Sequence, residues 1–331
     1  MKPPSPMPFS DRSSKDNPPR QPGIQLPELS KWWVIFLLFT FLAGNGSGFL
    51  INEQRHTKKE LSRASQEAQR TSELVHMARQ VNPPDGYAIK AHFGDVGPKL
   101  LASGAINYAA FLEVYERAGA PLTETQVAIL AEGSDDPIAI HKENAYFLLN
   151  FFWALGITNQ NSILTAGPMV TNSQGQVENF ASTGGWSIAE KPIRELYAST
   201  EIVSLTADQQ EHLEHVTQNV FRPCCNNSTH FPDCNHGMAM LGLLQLMASQ
   251  EATEDEMFEA AKYFNAFWYP GQTMELATFF KAAMDLDFSE VDARQVVSKN
   301  ISSGSGYQEV RQWLASNGLL QQNPSGGSCG V

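Results

Sequence analysis

Residues 143–155 read ENAYFLLNFFWAL, a stretch that is apolar on nearly every face of a helix. Apolarity all round belongs to a helix buried on every side. The run is too short for a membrane, which takes about 20 residues, so it predicts the central helix of a helical core. Working outward, apolar residues recur at helical spacing over 207–221, 237–249, 254–268, 273–286 and 306–317. Three helix starts carry a capping box, in which a threonine and the residue three positions on satisfy each other's backbone N–H groups. The pairs are Thr123 with Gln126, Thr206 with Gln209 and Thr253 with Glu256. Tyr269-Pro270-Gly271 breaks one run and Asn317-Gly318 closes the last. Gly, Asn, Ser and Thr thicken between 160 and 187, which predicts a short hairpin or a long loop there. Residues 132–137, EGSDDP, read as an acidic turn without EF-hand spacing. Alternating strand patterns are scarce, so the class is mainly α, with a compact multi-helix domain over 87–318.

The segment before this domain is of another kind. Residues 1–30, rich in Pro, Ser and Gln, predict a disordered tail. Lys31-Trp32-Trp33 then opens the uncharged run VIFLLFTFLAGNGSGFLI, which ends at Ile51. Its length and the tryptophan pair at its start predict a single-pass transmembrane helix over 31–51. No small-x-small cleavage site follows, which speaks against a removed leader. Basic residues flank both ends, so charge does not orient the span; the short tail is assigned to the cytoplasm and the domain to the outside of the cell membrane. Residues 52–82 read as a helical stalk. Leu61, Ala64, Ala68, Thr71, Val75 and Ala78 make a heptad seam of mostly small residues, fit for weak self-association only. Residues 319–331 read as a flexible Gly/Ser tail holding Cys329.

Charge divides the same way. Residues 1–86 carry 11 Lys+Arg against 8 Asp+Glu, and residues 87–331 carry 12 against 27. A net −15 on the domain excludes nucleic acid as a partner, because phosphate binding needs a basic face.

The chemistry is concentrated in the loop 222–237. Three of the chain's 4 cysteines lie there, as Cys224, Cys225 and Cys234, together with His230 and His236. Pro223 ends the helix before it and Gly237 opens the next, so the loop is held at both ends. Cys234 stands at a helix start, where unpaired N–H groups favour a thiolate, the form that binds metal. One of Cys224 and Cys225 with Cys234, His236 and His230 makes a four-donor set suited to zinc. Met238 and Met240 open a softer set suited to copper(I), though at the start of an apolar helix they also read as core. A disulfide or redox pair and inert buried thiols remain the other readings of the cysteines. His212 and His215 lie three apart on a helix and read as a solvated face. The Gly-Gly-Trp turn in FASTGGW, 180–186, reads as an anchored turn that could wall the site.

The segments RPCCNNSTHFPDCNHGMAMLGLLQLMASQ and TEDEMFEAAKYFNAFWYP, with ENAYFLLNFFWALG, FASTGGW and the terminal SCGV, resemble a family of uncharacterised bacterial membrane-anchored proteins. That resemblance implies a bacterial origin and one domain over 87–331, and no activity. More distantly, the clustered cysteines with a following CxH are similar to the PCYCGC-motif lipoproteins, which implies extracytoplasmic metal binding. This chain has neither the CYCGC run nor a lipobox cysteine. The expected function is a membrane-anchored binder of zinc or copper for storage, sensing or delivery; a thiol oxidoreductase or metal-dependent enzyme, and a module pinned by a disulfide, are the alternatives.

Overall fold

The computed structural model describes residues 31–320, with side chains from residue 53 onward and that of Thr40. The predicted tail over 1–30 and Cys329 lie outside the described residues. Its contacts divide the chain into residues 1–68 and 69–331. Helix α1 is Lys31–Val81. In the first unit the described side chains of residues 53–68 are exposed. In the expected span over 31–51, side chains other than that of Thr40 lie outside the described residues. Among those described, no helix is long and apolar enough to cross a membrane.

The second unit is mainly helical. It begins with the last turns of α1, which are not the solvated stalk expected up to residue 82. Met77 and Val81 pack into an apolar cluster, and Gln80 donates to Asp287 Oδ2 (3.0 Å) and accepts from the Phe288 N–H (3.1 Å). Strand β1, Tyr87–Gly94, follows, then helices α2, Val96–Ser103, α3, Tyr108–Arg117, and α4, Glu124–Ala131. Strand β2, Ser134–Ile140, pairs antiparallel with β1, Tyr87 opposite Ile140 and His92 opposite Pro137. The acidic stretch 132–137 is thus mostly strand rather than turn. Ile89, Ala91 and Phe93 of β1 and Ile138 and Ile140 of β2 face the core, and that burial overrides the polar start of β2.

Helix α5, Ala145–Thr158, is the central helix, with Phe147, Leu148, Phe151, Phe152 and Leu155 all at 2% exposure or less. No hairpin follows it. Residues 160–187 form a chain of short helical turns, because Asn161 caps one, accepting from the Ile163 N–H (2.9 Å), and Pro168 starts another. Helices α7, Asn235–Ser249, and α8, Glu254–Trp268, then close over α5, and α6, Ala207–Asn219, packs on α7 and α8. All three capping boxes are formed. Met238, Met240 and Met247 are buried in α7 and belong to the core.

Helices α5 and α7 touch backbone to backbone. A Cβ on Gly242 would lie 2.2 Å from Phe152 O and 2.7 Å from Gly156 N, and one on Gly156 would lie 2.1 Å from Met238 O. Only hydrogen fits at both. Helices α9, Pro270–Met284, and α10, Gly304–Ser316, build the second cluster with Val81. Leu319 belongs to it as well, and its N–H donates to Leu314 O (2.9 Å), so the tail is fastened at its root.

Candidate metal centre

Helix α6 ends at Asn219, two residues before the expected Phe221, because the next backbone groups are used elsewhere. The Phe221 N–H donates to Val297 O (2.8 Å) and the Thr229 N–H returns to Val220 O (2.9 Å). The chain then makes the 222–234 loop and enters α7 at Cys234, whose sulfur caps the helix by accepting from the Gly237 N–H (3.4 Å). Three further segments clamp the loop. The Ser182 N–H donates to Asp233 O (3.0 Å), and the Phe180 and Phe231 rings meet edge to face at 5.5 Å, so FASTGGW does border the site. Gly304 at the start of α10 donates to Cys225 O (2.7 Å), and Ser305 donates to Asn226 Oδ1 (2.7 Å). From α8, Asn265 Nδ2 donates to Phe221 O (3.0 Å).

This frame brings three sulfurs together. The Sγ atoms of Cys224, Cys225 and Cys234 all lie within 4.8 Å of one another, and all three are free thiols. The Cys224 and Cys234 sulfurs are 3.5 Å apart. Each cysteine is partly exposed. Among the described residues they are the only group of three or more His, Cys, Asp and Glu donors that gathers so closely. The histidines of the expected set do not join them. His236 is buried at 3% exposure, its Nδ1 2.9 Å from Asn235 Oδ1 and its ring 4.5 Å from that of Tyr269. The backbone N–H of His230 donates to Thr217 O (2.9 Å), and its ring Nδ1 is buried without a hydrogen-bond partner. His215 pairs with Glu254 (2.9 Å) on an open face, as expected for a solvated pair.

Arg222 organises the cluster. Its side chain is 1% exposed, and its guanidinium donates to Cys234 Sγ (3.0 Å), Asn227 O (3.0 Å) and Asp233 Oδ1 (2.9 Å). Asp233 Oδ2 in turn accepts from Asn227 Nδ2 (2.8 Å). A buried cation with every partner satisfied is stable where a lone one is not. The electrostatic result is asymmetric. The Cys224 and Cys225 thiols, and then the charge and N–H of Arg222, hold Cys234 well below the ordinary thiol range despite burial. Cys224 is driven far above that range by Cys225, Cys234 and burial. For Cys225 the Cys224 thiol pulls downward, but Cys234 and burial prevail and it is pushed up to about 11. One thiolate therefore sits among two thiols. Burial lowers His236 to about 4, so it is neutral at neutral pH, and its Nε2 is buried without a hydrogen-bond partner.

Comparisons with family models, curated proteins and solved structures find no match for the chain. The centre is therefore read from its own chemistry. Asp233 and Asn227 are its unforeseen members. The RPCC order hinted at Arg222, but its complete burial and its three acceptors come from the fold alone.

Proposed function

We propose that this protein binds one soft metal ion, zinc or copper(I), through Cys224, Cys225 and Cys234, for storage, sensing or delivery. The observation that carries the reading is the convergence of three sulfurs within 4.8 Å on a loop clamped by several segments. Thiolates select such metals over hard cations. Copper(I) is satisfied by three sulfurs, and zinc would take a fourth donor from outside the cluster. Arg222 offsets part of the negative charge that three thiolates would gather. The uncharged run to Ile51 supports a membrane anchor, with the domain on the extracytoplasmic side and the stalk seam, where Leu61 and Val75 are exposed, as a weak self-association surface.

The test is elemental analysis of the full chain purified without oxygen. About one equivalent of zinc or copper is expected, lost in Cys225→Ser and in Cys234→Ser, and unchanged in Cys329→Ser. A metal-free protein with four titratable thiols, which takes up neither ion on dialysis, would overturn the reading.

A further inference from the structure

We propose that the same loop is a two-electron thiol switch, in which Cys234 is oxidised by a hydroperoxide and Cys224 resolves it as a Cys224–Cys234 disulfide. This goes beyond metal binding and does not require it. Its first support is distance. The two sulfurs are 3.5 Å apart, and a disulfide needs about 2.05 Å, so a small movement of the loop closes the bond.

The second support is the division of roles among the sulfurs. Cys234 Sγ alone accepts both the Arg222 Nε–H (3.0 Å) and a helix N-terminal N–H, that of Gly237 (3.4 Å), which places negative charge on that atom. Cys225 Sγ is engaged elsewhere, with Asn227 O at 3.8 Å and Asp233 Oδ1 at 3.7 Å. A Cys224–Cys225 bond is disfavoured by geometry, because neighbouring Cα atoms are about 3.8 Å apart and unstrained disulfides need about 4.4 Å or more. The partner of Cys234 is therefore Cys224. All three residues keep some exposure, the Cys234 sulfur being the most buried of the three, so the oxidant has to be a small hydroperoxide.

The chemistry balances. The Cys234 thiolate attacks the terminal oxygen of the hydroperoxide. The O–O bond breaks, Cys234 becomes a sulfenic acid, and the alkoxide or hydroxide that leaves takes a proton from water. Cys224 sulfur then attacks Cys234 sulfur. The S–S bond forms, the S–O bond breaks, and the departing hydroxide takes the Cys224 proton and leaves as water. Two thiols have lost two electrons and the hydroperoxide has gained them. Oxidation consumes two of the three sulfurs of the centre, so the disulfide and the metal exclude each other.

The experiment treats the metal-free full chain with hydrogen peroxide, alkylates the remaining thiols and maps the digest by mass spectrometry without reduction. The thiol count is expected to fall from four to two, with one Cys224–Cys234 cross-link and with Cys225 and Cys329 alkylated. Cys224→Ser should stop at a Cys234 sulfenic acid that a cyclic dione traps. Cys225→Ser should still form the cross-link while losing metal uptake. A cross-link containing Cys225 or Cys329 would overturn the switch, and so would four surviving thiols at peroxide levels that oxidise free cysteine. A Cys224–Cys234 cross-link in a protein that takes up no metal would leave the switch standing and remove only the metal reading.

Discussion

Cys234 owes its character first to the Cys224 and Cys225 thiols and then to Arg222, which a missing side chain admits. Arg222 reaches its sulfur because Gly237 leaves room: a Cβ there would lie 2.3 Å from Arg222 Nη2 and 2.4 Å from its Cζ. The guanidinium cannot simply move aside, since three acceptors hold it and it is 1% exposed. Gly237→Ala should therefore push Arg222 off the sulfur and cost about 1–3 kcal/mol of stability. The sign of the chemical effect follows. Losing a cationic donor raises the Cys234 pKa, so the midpoint of its alkylation rate against pH should move upward. Iodoacetamide kinetics on Cys329→Ser backgrounds would measure it, and an unmoved midpoint would show that Arg222 does not set the thiolate. The candidate residues were legible as types, Cys and His in one loop. Their partition was not, because which donors converge depends on contacts from residues far away in sequence, such as Gly304 on Cys225 and Ser182 on Asp233.

At the scale of elements, the domain is organised by the crossing of α5 and α7, and small residues set how close it is. Gly242 meets Phe152 O and Gly156 meets Met238 O, so the backbones themselves are in contact. Gly242→Ala should force the helices apart and lower the unfolding free energy by about 1–3 kcal/mol. Urea denaturation followed by circular dichroism would show it, and a loss below the error of the fit would mean that α7 shifts freely. The helices were readable because local signals agreed with burial. An all-apolar run made α5, and three threonine capping boxes set the starts of α4, α6 and α8. The strands were less readable. β1 carries a two-residue alternation, Ile89, Ala91 and Phe93, but β2 begins Ser134-Asp135-Asp136-Pro137 and is a strand only because β1 pairs with it.

For the whole molecule, the acidity of the domain makes its stability depend on pH. Several carboxylates are held below their usual range. Glu178 and Glu256 are lowered chiefly by backbone hydrogen bonds, Glu214 by Gln210, and Asp287 by Gln80 and then Lys281. A carboxyl whose folded pKa lies below its unfolded value stabilises the fold above the unfolded value and loses that contribution as pH falls through the folded one. The unfolded values are 4.5 for Glu and 3.8 for Asp. The melting temperature should accordingly hold from pH 7 to about 5 and fall steadily below it. A thermal scan at constant ionic strength that stayed level down to pH 3 would sink this account.

The amino-acid sequence by itself determined the mainly helical class, the helix starts and the loop in which the thiols lie. Those features rest on neighbours within a few residues, through caps, periodicity and chain breakers. Only the tertiary structure decided which donors meet. It buried Arg222 against Cys234, gathered three sulfurs within 4.8 Å and set two of them 3.5 Å apart. The physical reason is that a site is made by distances between segments remote in sequence, and packing alone sets those distances.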